Sequence, residues 1–157
     1  APRMTVAENM LLASKRGEKR HLMPRRLKQR MAEFTKLAAQ MNNGLENRMT
    51  TPTGALSGGQ RQALSFLMAT LKRPDILLLD EHTAALDPHT ARNLLHATNQ
   101  RITEDHLTAL MITHHMEDAL KYGNRLIVLK DGQIKADYNA SEKAQLTVDD
   151  LYAYFEM

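Results

Sequence analysis

Hydrophobic positions change their spacing partway along the 157-residue chain, separating a helical stretch from one in which strands and helices alternate. Thr5 to Ser14 places Val6, Met10 and Ala13 on one side, which predicts a short helix. From Arg26 to Asn42 the apolar residues Leu27, Met31, Phe34, Leu37, Ala38 and Met41 recur every three or four positions. That spacing predicts an amphipathic helix, stopped by Asn42-Asn43-Gly44. Thr50 to Gly54, carrying Pro52, reads as loop. A third helix is expected after Gly59 through Leu71, ended by Arg73-Pro74. Asp75 to Leu79 and Thr108 to Ile112 are short continuous apolar runs, the pattern of strands buried in a parallel sheet. Between them lies a predicted helix from Pro88 to about Thr103, with proline at a tolerated first-turn position. A helix from Met116 to Tyr122 follows. Arg125 to Lys130 and Gln133 to Asp137 read as a hairpin turning on Asp131-Gly132, and Thr147 to Asp150 resembles a helix-start cap. The expectation is an α/β chain with a helical subdomain over 1–72. Residues 73–157 would form a parallel strand–helix core and a C-terminal hairpin.

Composition narrows the classes. With 43% hydrophobic and 25% charged residues, the chain suits a folded globular domain. Its longest purely apolar runs, Ile76 to Leu79 and Leu126 to Leu129 among them, fall far short of the roughly 20 residues a membrane-spanning helix needs. Ala1-Pro2-Arg3 leads straight into a polar helix pattern, with no secretory signal visible. Cysteine is absent, which excludes intrachain disulfides and thiolate metal sites. The basic stretch (Lys15, Arg16, Lys19, Arg20, Arg25, Arg26, Lys28 and Arg30) has no interleaved aromatics for base stacking. A solvated helix face is therefore expected there, and no nucleic-acid partner. His21, His82, His89, His96 and His106 read as surface positions rather than metal ligands.

Three segments carry chemistry. In Leu56-Ser57-Gly58-Gly59-Gln60 two glycines open a helix, so backbone amides can approach an anion at the positive end of the helix dipole. Ser57 and Gln60 add side-chain donors. Ile76-Leu77-Leu78-Leu79-Asp80-Glu81 sets two carboxylates at the end of a hydrophobic strand. In nucleotide hydrolases an acid so placed holds magnesium, and a second can polarise the attacking water. Met111-Ile112-Thr113-His114 sends a histidine out of a second strand end.

Together these segments resemble the nucleotide-binding subunits of ABC transporters, over nearly the whole chain. Leu56 to Gln60 matches the LSGGQ signature, Ile76 to Glu81 the Walker B strand, Ala84 to Asp87 the D-loop and His114 the switch histidine. Met4 to Asn9 is similar to the segment after the family's Q-loop. The resemblance implies a P-loop NTPase fold of the ABC type with ATP and Mg²⁺ as cofactors. It implies Asp80 as the magnesium residue, Glu81 as general base and His114 as a γ-phosphate contact. Ser57, Gly58, Gly59 and Gln60 would close over ATP held by a second ATP-binding domain in a head-to-tail dimer, with Asp87 coupling the two. Further implied partners are transmembrane permease subunits and a substrate-binding protein, with the chain peripheral on the cytoplasmic face of the membrane. The Thr83-to-Asp87 loop and Met116 to Ala119 look more like importers than exporters. Within that group the sequence is similar to ATPases encoded beside periplasmic-type binding proteins, with amino acids as the expected cargo.

The sequence also departs from the family pattern. No G-x-x-x-x-G-K-[ST] P-loop occurs. The adenine-stacking aromatic and the Q-loop glutamine would fall before Ala1, so a truncated subunit without ATPase activity of its own is expected. His82 stands where the family usually has proline, and Ala84 where serine is common. His115 adjoins the switch position, and the Thr-His pair favours His114. Two rival readings are a non-catalytic interaction module and the ABC-type head of a DNA-repair or chromosome ATPase. The second would need long heptad segments, and the Arg26 to Asn42 helix is too short.

Overall fold

A computed structural model describes residues 1–18, 27–84 and 86–156. Lys19, Arg20, Arg25 and Arg26 of the basic stretch, His21 and Ala85 lie outside the described residues. The chain divides into two compact units, Ala1–Leu110 and Met111–Met157.

In the first unit, α1 (Val6–Ser14), α2 (Leu27–Ala39) and α3 (Gly58–Thr70) pack on one another, and α3 also packs on α4 (Pro88–Glu104). The expected apolar positions supply the core: Val6, Met10, Phe34, Ala38 and Met41 are buried, joined by Leu45, Leu56, Leu64, Leu67 and Leu94. Helix α1 starts at a capping box in which Thr5 accepts from the Glu8 amide and Glu8 accepts from the Thr5 amide. The next two amides of α1 donate into the loop ahead of α3, Val6 N to Thr51 O at 3.1 Å and Ala7 N to Met49 O at 3.0 Å. These donors lack partners within a helix. Here they anchor the loop that delivers the chain to Ser57.

Strand β1 (Leu77–Asp80) neighbours β2 (Ala109–Ile112), with Leu77 N donating to Thr108 O at 2.9 Å. With α4 between them in sequence, this is the strand–helix–strand order expected. Burial departs from expectation. Leu77 and Leu79 are buried, yet Ile76 is 54% and Leu78 66% exposed, and Leu110 and Ile112 are exposed as well. A continuous apolar run signals apolar surroundings on both faces. The described residues cover only the face of β1 that carries Leu77 and Leu79.

The second unit contains α5 (Met116–Lys121), the hairpin β3 (Leu126–Lys130) and β4 (Gln133–Tyr138), then α6 (Ala140–Lys143) and α7 (Val148–Glu156). The hairpin is antiparallel, pairing Leu126 with Tyr138 and Lys130 with Gln133. Its turn is the expected one: Asp131 and Gly132 have φ of 53° and 71°, the two left-handed positions of a type I′ turn. Helix α7 starts as read, with Thr147 Oγ1 accepting from Asp150 N at 3.3 Å and Asp150 accepting from Thr147 N at 2.7 Å. Helix α6 was not foreseen. Its Lys143 is buried and donates to the carbonyls of Tyr122 and Gly123 behind α5.

Candidate functional site

Ser57 is the N-cap of α3, in extended backbone at φ −65° and ψ 165°. Its Oγ accepts from Gln60 N at 3.3 Å while Gln60 Oε1 accepts from Ser57 N at 3.2 Å. Arg61 steadies the approach, donating from its guanidinium to Leu56 O at 2.6 Å. Ser57 is exposed and Gly59 buried. The Ser57 hydroxyl oxygen accepts at its own helix start, and its hydrogen remains able to donate outward.

Gly59 is glycine for a packing reason. A Cβ built there would collide with Thr90 Cγ2, and one on Gly58 would sit 3.5 Å from Leu86 Cδ2. The signature turn therefore lies directly against the loop and first turn of α4. That helix is capped by Asp87, whose Oδ1 accepts from Thr90 N at 3.0 Å, with Pro88 in the first turn. Hydrogen bonds from Thr90, side chain first and then backbone, hold the Asp87 carboxyl below the usual carboxylate range. One residue thus links two motifs: Thr90 donates its amide to Asp87 and presses its methyl against Gly59.

Asp80 ends β1 and is exposed, as is Glu81. Glu81 has φ of 41°, a left-handed backbone that non-glycine residues seldom adopt and that clusters at functional sites. The turn continues with Ala84 N donating to Glu81 O at 3.0 Å and Leu86 N to Thr83 O at 3.1 Å. Asp80 and His82 line an open groove of about 230 Å³ beside α3, with Gln62, Ser65, Phe66 and Leu78. The tight reversal at Glu81 sends the chain from the strand end towards Asp87 within six residues.

Ser57, Gly58, Gly59, Gln60, Asp80, Glu81 and Asp87 all belong to the first unit, and His114 to the second. His114 follows β2 and is exposed, its ring centroid 4.3 Å from that of His115 at 34°. His115 is the N-cap of α5 and makes no side-chain capping bond; its amide donates to Thr113 Oγ1 at 3.1 Å. Sequence reasoning missed Thr90 and Asn43. The Asp-Pro-x-Thr spacing announces a helix cap, but contact with Gly59 is tertiary. Asn43 registered only as part of a helix stop.

Comparison with known proteins agrees with this architecture. The sequence pattern of the family described as ABC transporter matches residues 1–84. A tyrosine transport ATP-binding protein of Clostridioides difficile is 40% identical over 155 residues, covering 99% of this chain and 61% of that protein. A thiamine import ATP-binding protein of Escherichia coli is 34% identical over 131 residues, 83% of this chain and 53% of that protein. Among solved structures, a dimeric ATP-binding cassette in a post-hydrolysis state, bound to ADP and Pi, superposes with a TM-score of 0.71. It is 26% identical, over 89% of this chain and 58% of that one. The chain belongs to the ABC transporter family and has the α/β fold of its ATP-binding cassettes. It spans about three fifths of the length of the first of these relatives. None of its described helices is long and apolar enough to cross a membrane.

Proposed function

We propose that the chain serves in the ATP-hydrolysing subunit of an ABC import system, supplying the signature turn, the acidic strand end and the switch histidine. The observation that carries this reading is the Ser57 turn. An exposed hydroxyl and a glycine-bearing helix start are held by a reciprocal cap and packed against the Asp87 loop. Such a turn suits a phosphate presented from outside, by a second cassette in a head-to-tail dimer. Ser57, Gly58, Gly59 and Gln60 form the turn that closes over the γ-phosphate, and Asp87 couples the two cassettes. Residues 1–72 correspond to the family's signature subdomain and face the permease subunits; residues 73–157 belong to the ATP-binding core.

Asp80 fits a magnesium ion of the kind bound through one carboxylate plus phosphate oxygens and water. Among the described residues no group of three or more acidic or imidazole ligands forms a cage by itself. Asp80 would hold the ion, which when bound neutralises charge on the phosphates. Glu81 takes the proton of the attacking water, and His114 donates to the γ-phosphate. Tyrosine transport, the role named for the Clostridioides difficile relative, favours an amino acid as cargo, delivered by a binding protein to a membrane permease. The subunit would lie on the cytoplasmic face of the membrane.

Two measurements test the reading. In the full-length gene product, Glu81→Gln should lower ATP turnover by about 10²–10⁴-fold, the range of a lost general base. Residues 1–157 alone, which carry no P-loop sequence, should hydrolyse no ATP. Turnover by the 157-residue chain that depends on Glu81 would overturn the second expectation, and full turnover by the Glu81→Gln variant the first.

A further inference from the structure

The amide of Gln60 is occupied at both ends. Its Oε1 accepts from Ser57 N at 3.2 Å, and its Nε2 donates to Asn43 O at 3.3 Å. Asn43 answers with its side chain: Nδ2 donates to Gly59 O at 3.2 Å, and Oδ1 accepts from Leu45 N at 3.3 Å. The Gln60 side chain thus bonds to the Asn43 carbonyl and the Asn43 side chain to the Gly59 carbonyl, so two bonds of opposite direction join the Asn43 turn to the start of α3. The backbone around Asn43 is built for this. Asn42 and Gly44 have φ of 50° and 75°, so the chain reverses sharply on both sides and presents the Asn43 carbonyl and amide together. Gly44 also runs close to the clamp, where an added Cβ would lie 3.9 Å from Gln60 Nε2.

A primary amide offers two donor hydrogens and two acceptor lone pairs. Gln60 has one of each engaged, and the two bonds fix where the group points. Turning it towards a phosphate would break both and leave the Ser57 amide and the Asn43 carbonyl without these partners. Gln60 keeps one Nε2 hydrogen, held in the orientation these two bonds fix, whereas the Ser57 hydroxyl hydrogen is free to rotate outward. We propose that Asn43 and Gln60 are positioning residues of the signature turn, Asn43 bonded to the Gly59 carbonyl and Gln60 to the Asn43 carbonyl, so that Gln60 sets the shape of the turn and does not itself bind phosphate. This rests on the proposed role of the turn in closing over ATP.

The test uses the full-length gene product with Asn43→Ala, Gln60→Met and the double variant, read by ATPase kinetics and by hydrogen exchange at the Ser57, Gln60 and Arg61 amides. Each single variant should raise exchange about tenfold and lower kcat about tenfold with KM for ATP unchanged, the scale of one or two net hydrogen bonds. Asn43→Ala removes the bond to Gly59 O and Gln60→Met the bond to Asn43 O, and both bonds hold one turn, so the double variant should lose less than the product of the two single losses. A raised KM for Gln60→Met, or losses that multiply in the double variant, would show Gln60 acting on the nucleotide independently of Asn43 and overturn the proposal. Unchanged exchange in both single variants would overturn it too. If the wild-type protein has no ATPase activity, the functional reading fails, and the amide exchange still decides whether the clamp exists. If Asn43→Ala does not fold, exchange and KM in Gln60→Met alone decide.

Discussion

Helices α3 and α5 each begin beside a residue that the family likeness assigns to the γ-phosphate, and they begin in different ways. Helix α3 starts with a reciprocal Ser57–Gln60 cap, buries Gly59 against Thr90, and continues for 13 residues with Ala63, Leu64, Phe66 and Leu67 in the core. Helix α5 starts at His115 without a side-chain cap, runs six residues and buries none of them. A six-residue helix has little stability of its own in water. The contrast ties the exposed Ser57 turn to the core of the first unit through buried Gly59, Ala63 and Leu64. The histidine turn belongs among segments that open locally at small cost. On the proposed roles, a turn that meets a ligand held elsewhere gains from being rigid in advance, whereas a γ-phosphate contact such as His114 is carried on a segment of low local stability.

The largest effect should come from filling the contact that fixes α3 to α4. Gly59→Ala puts a methyl group into Thr90 Cγ2, and overpacking of this kind costs about 2 kcal/mol. The cost should appear as a lower urea midpoint. Thr90→Ser removes the obstructing methyl while keeping the hydroxyl and the amide, so Gly59→Ala in that background should regain most of the loss. A Gly59→Ala protein as stable as the parent would mean that the two helices shift apart cheaply, and the contrast with α5 would weaken.

A middle-sized effect is expected at Asp87, the cap of α4. Its folded-state carboxyl lies below its ordinary value, so its contribution is complete above the unfolded carboxylate pKa, about 3.9, and fades as pH falls through the folded value. Asp87→Ala should lower Tm by about 3 °C at pH 7, the consequence of losing one N-cap in a chain of this size. The difference from the parent should shrink as the carboxyl is protonated. Asp87→Asn keeps an acceptor at every pH and should remove the pH dependence without the full loss of Tm. A difference that persists unchanged to pH 2 would show that charge on Asp87 has no part in holding the cap.

Local chemistry was readable in the sequence wherever it depended on near neighbours. The Asp131-Gly132 turn and the Thr147 cap appear because each is decided within a few residues, and the helix expected to reach Asn42 ends a little early, at Ala39. Membership of the family was legible for a similar reason, because the segments that resemble it are short and follow in order. Burial of β1 and β2 was not, because an apolar run states what a strand prefers to touch and not which elements cover it. Asn43 and Thr90 escaped notice because their partners are 16 and 31 residues away in sequence, and only tertiary packing brings them to Gly59. Glu81 gave no hint of its left-handed backbone, since nothing in Leu79-Asp80-Glu81 names a glycine-like position.

The smallest effect should fall on the other side of the comparison. Thr113 Oγ1 accepts from the His115 amide at the start of α5, in an exposed segment already short of buried contacts. Thr113→Val keeps the branched shape of the side chain and removes the acceptor. One solvent-accessible hydrogen bond contributes about 0.5 kcal/mol, so the global unfolding midpoint should hardly move. Local opening should change more visibly, with exchange at the His115 amide rising about twofold while the Gln60 and Arg61 amides keep their parent rates. That split is the sharpest form of the contrast: a change confined to the histidine turn leaves the signature turn untouched, because α3 draws its stability from its own cap and core. If Thr113→Val instead lowered the global midpoint by as much as Gly59→Ala, the histidine turn would be part of the cooperative core, and the uneven distribution of stability argued from these two helix starts would be wrong.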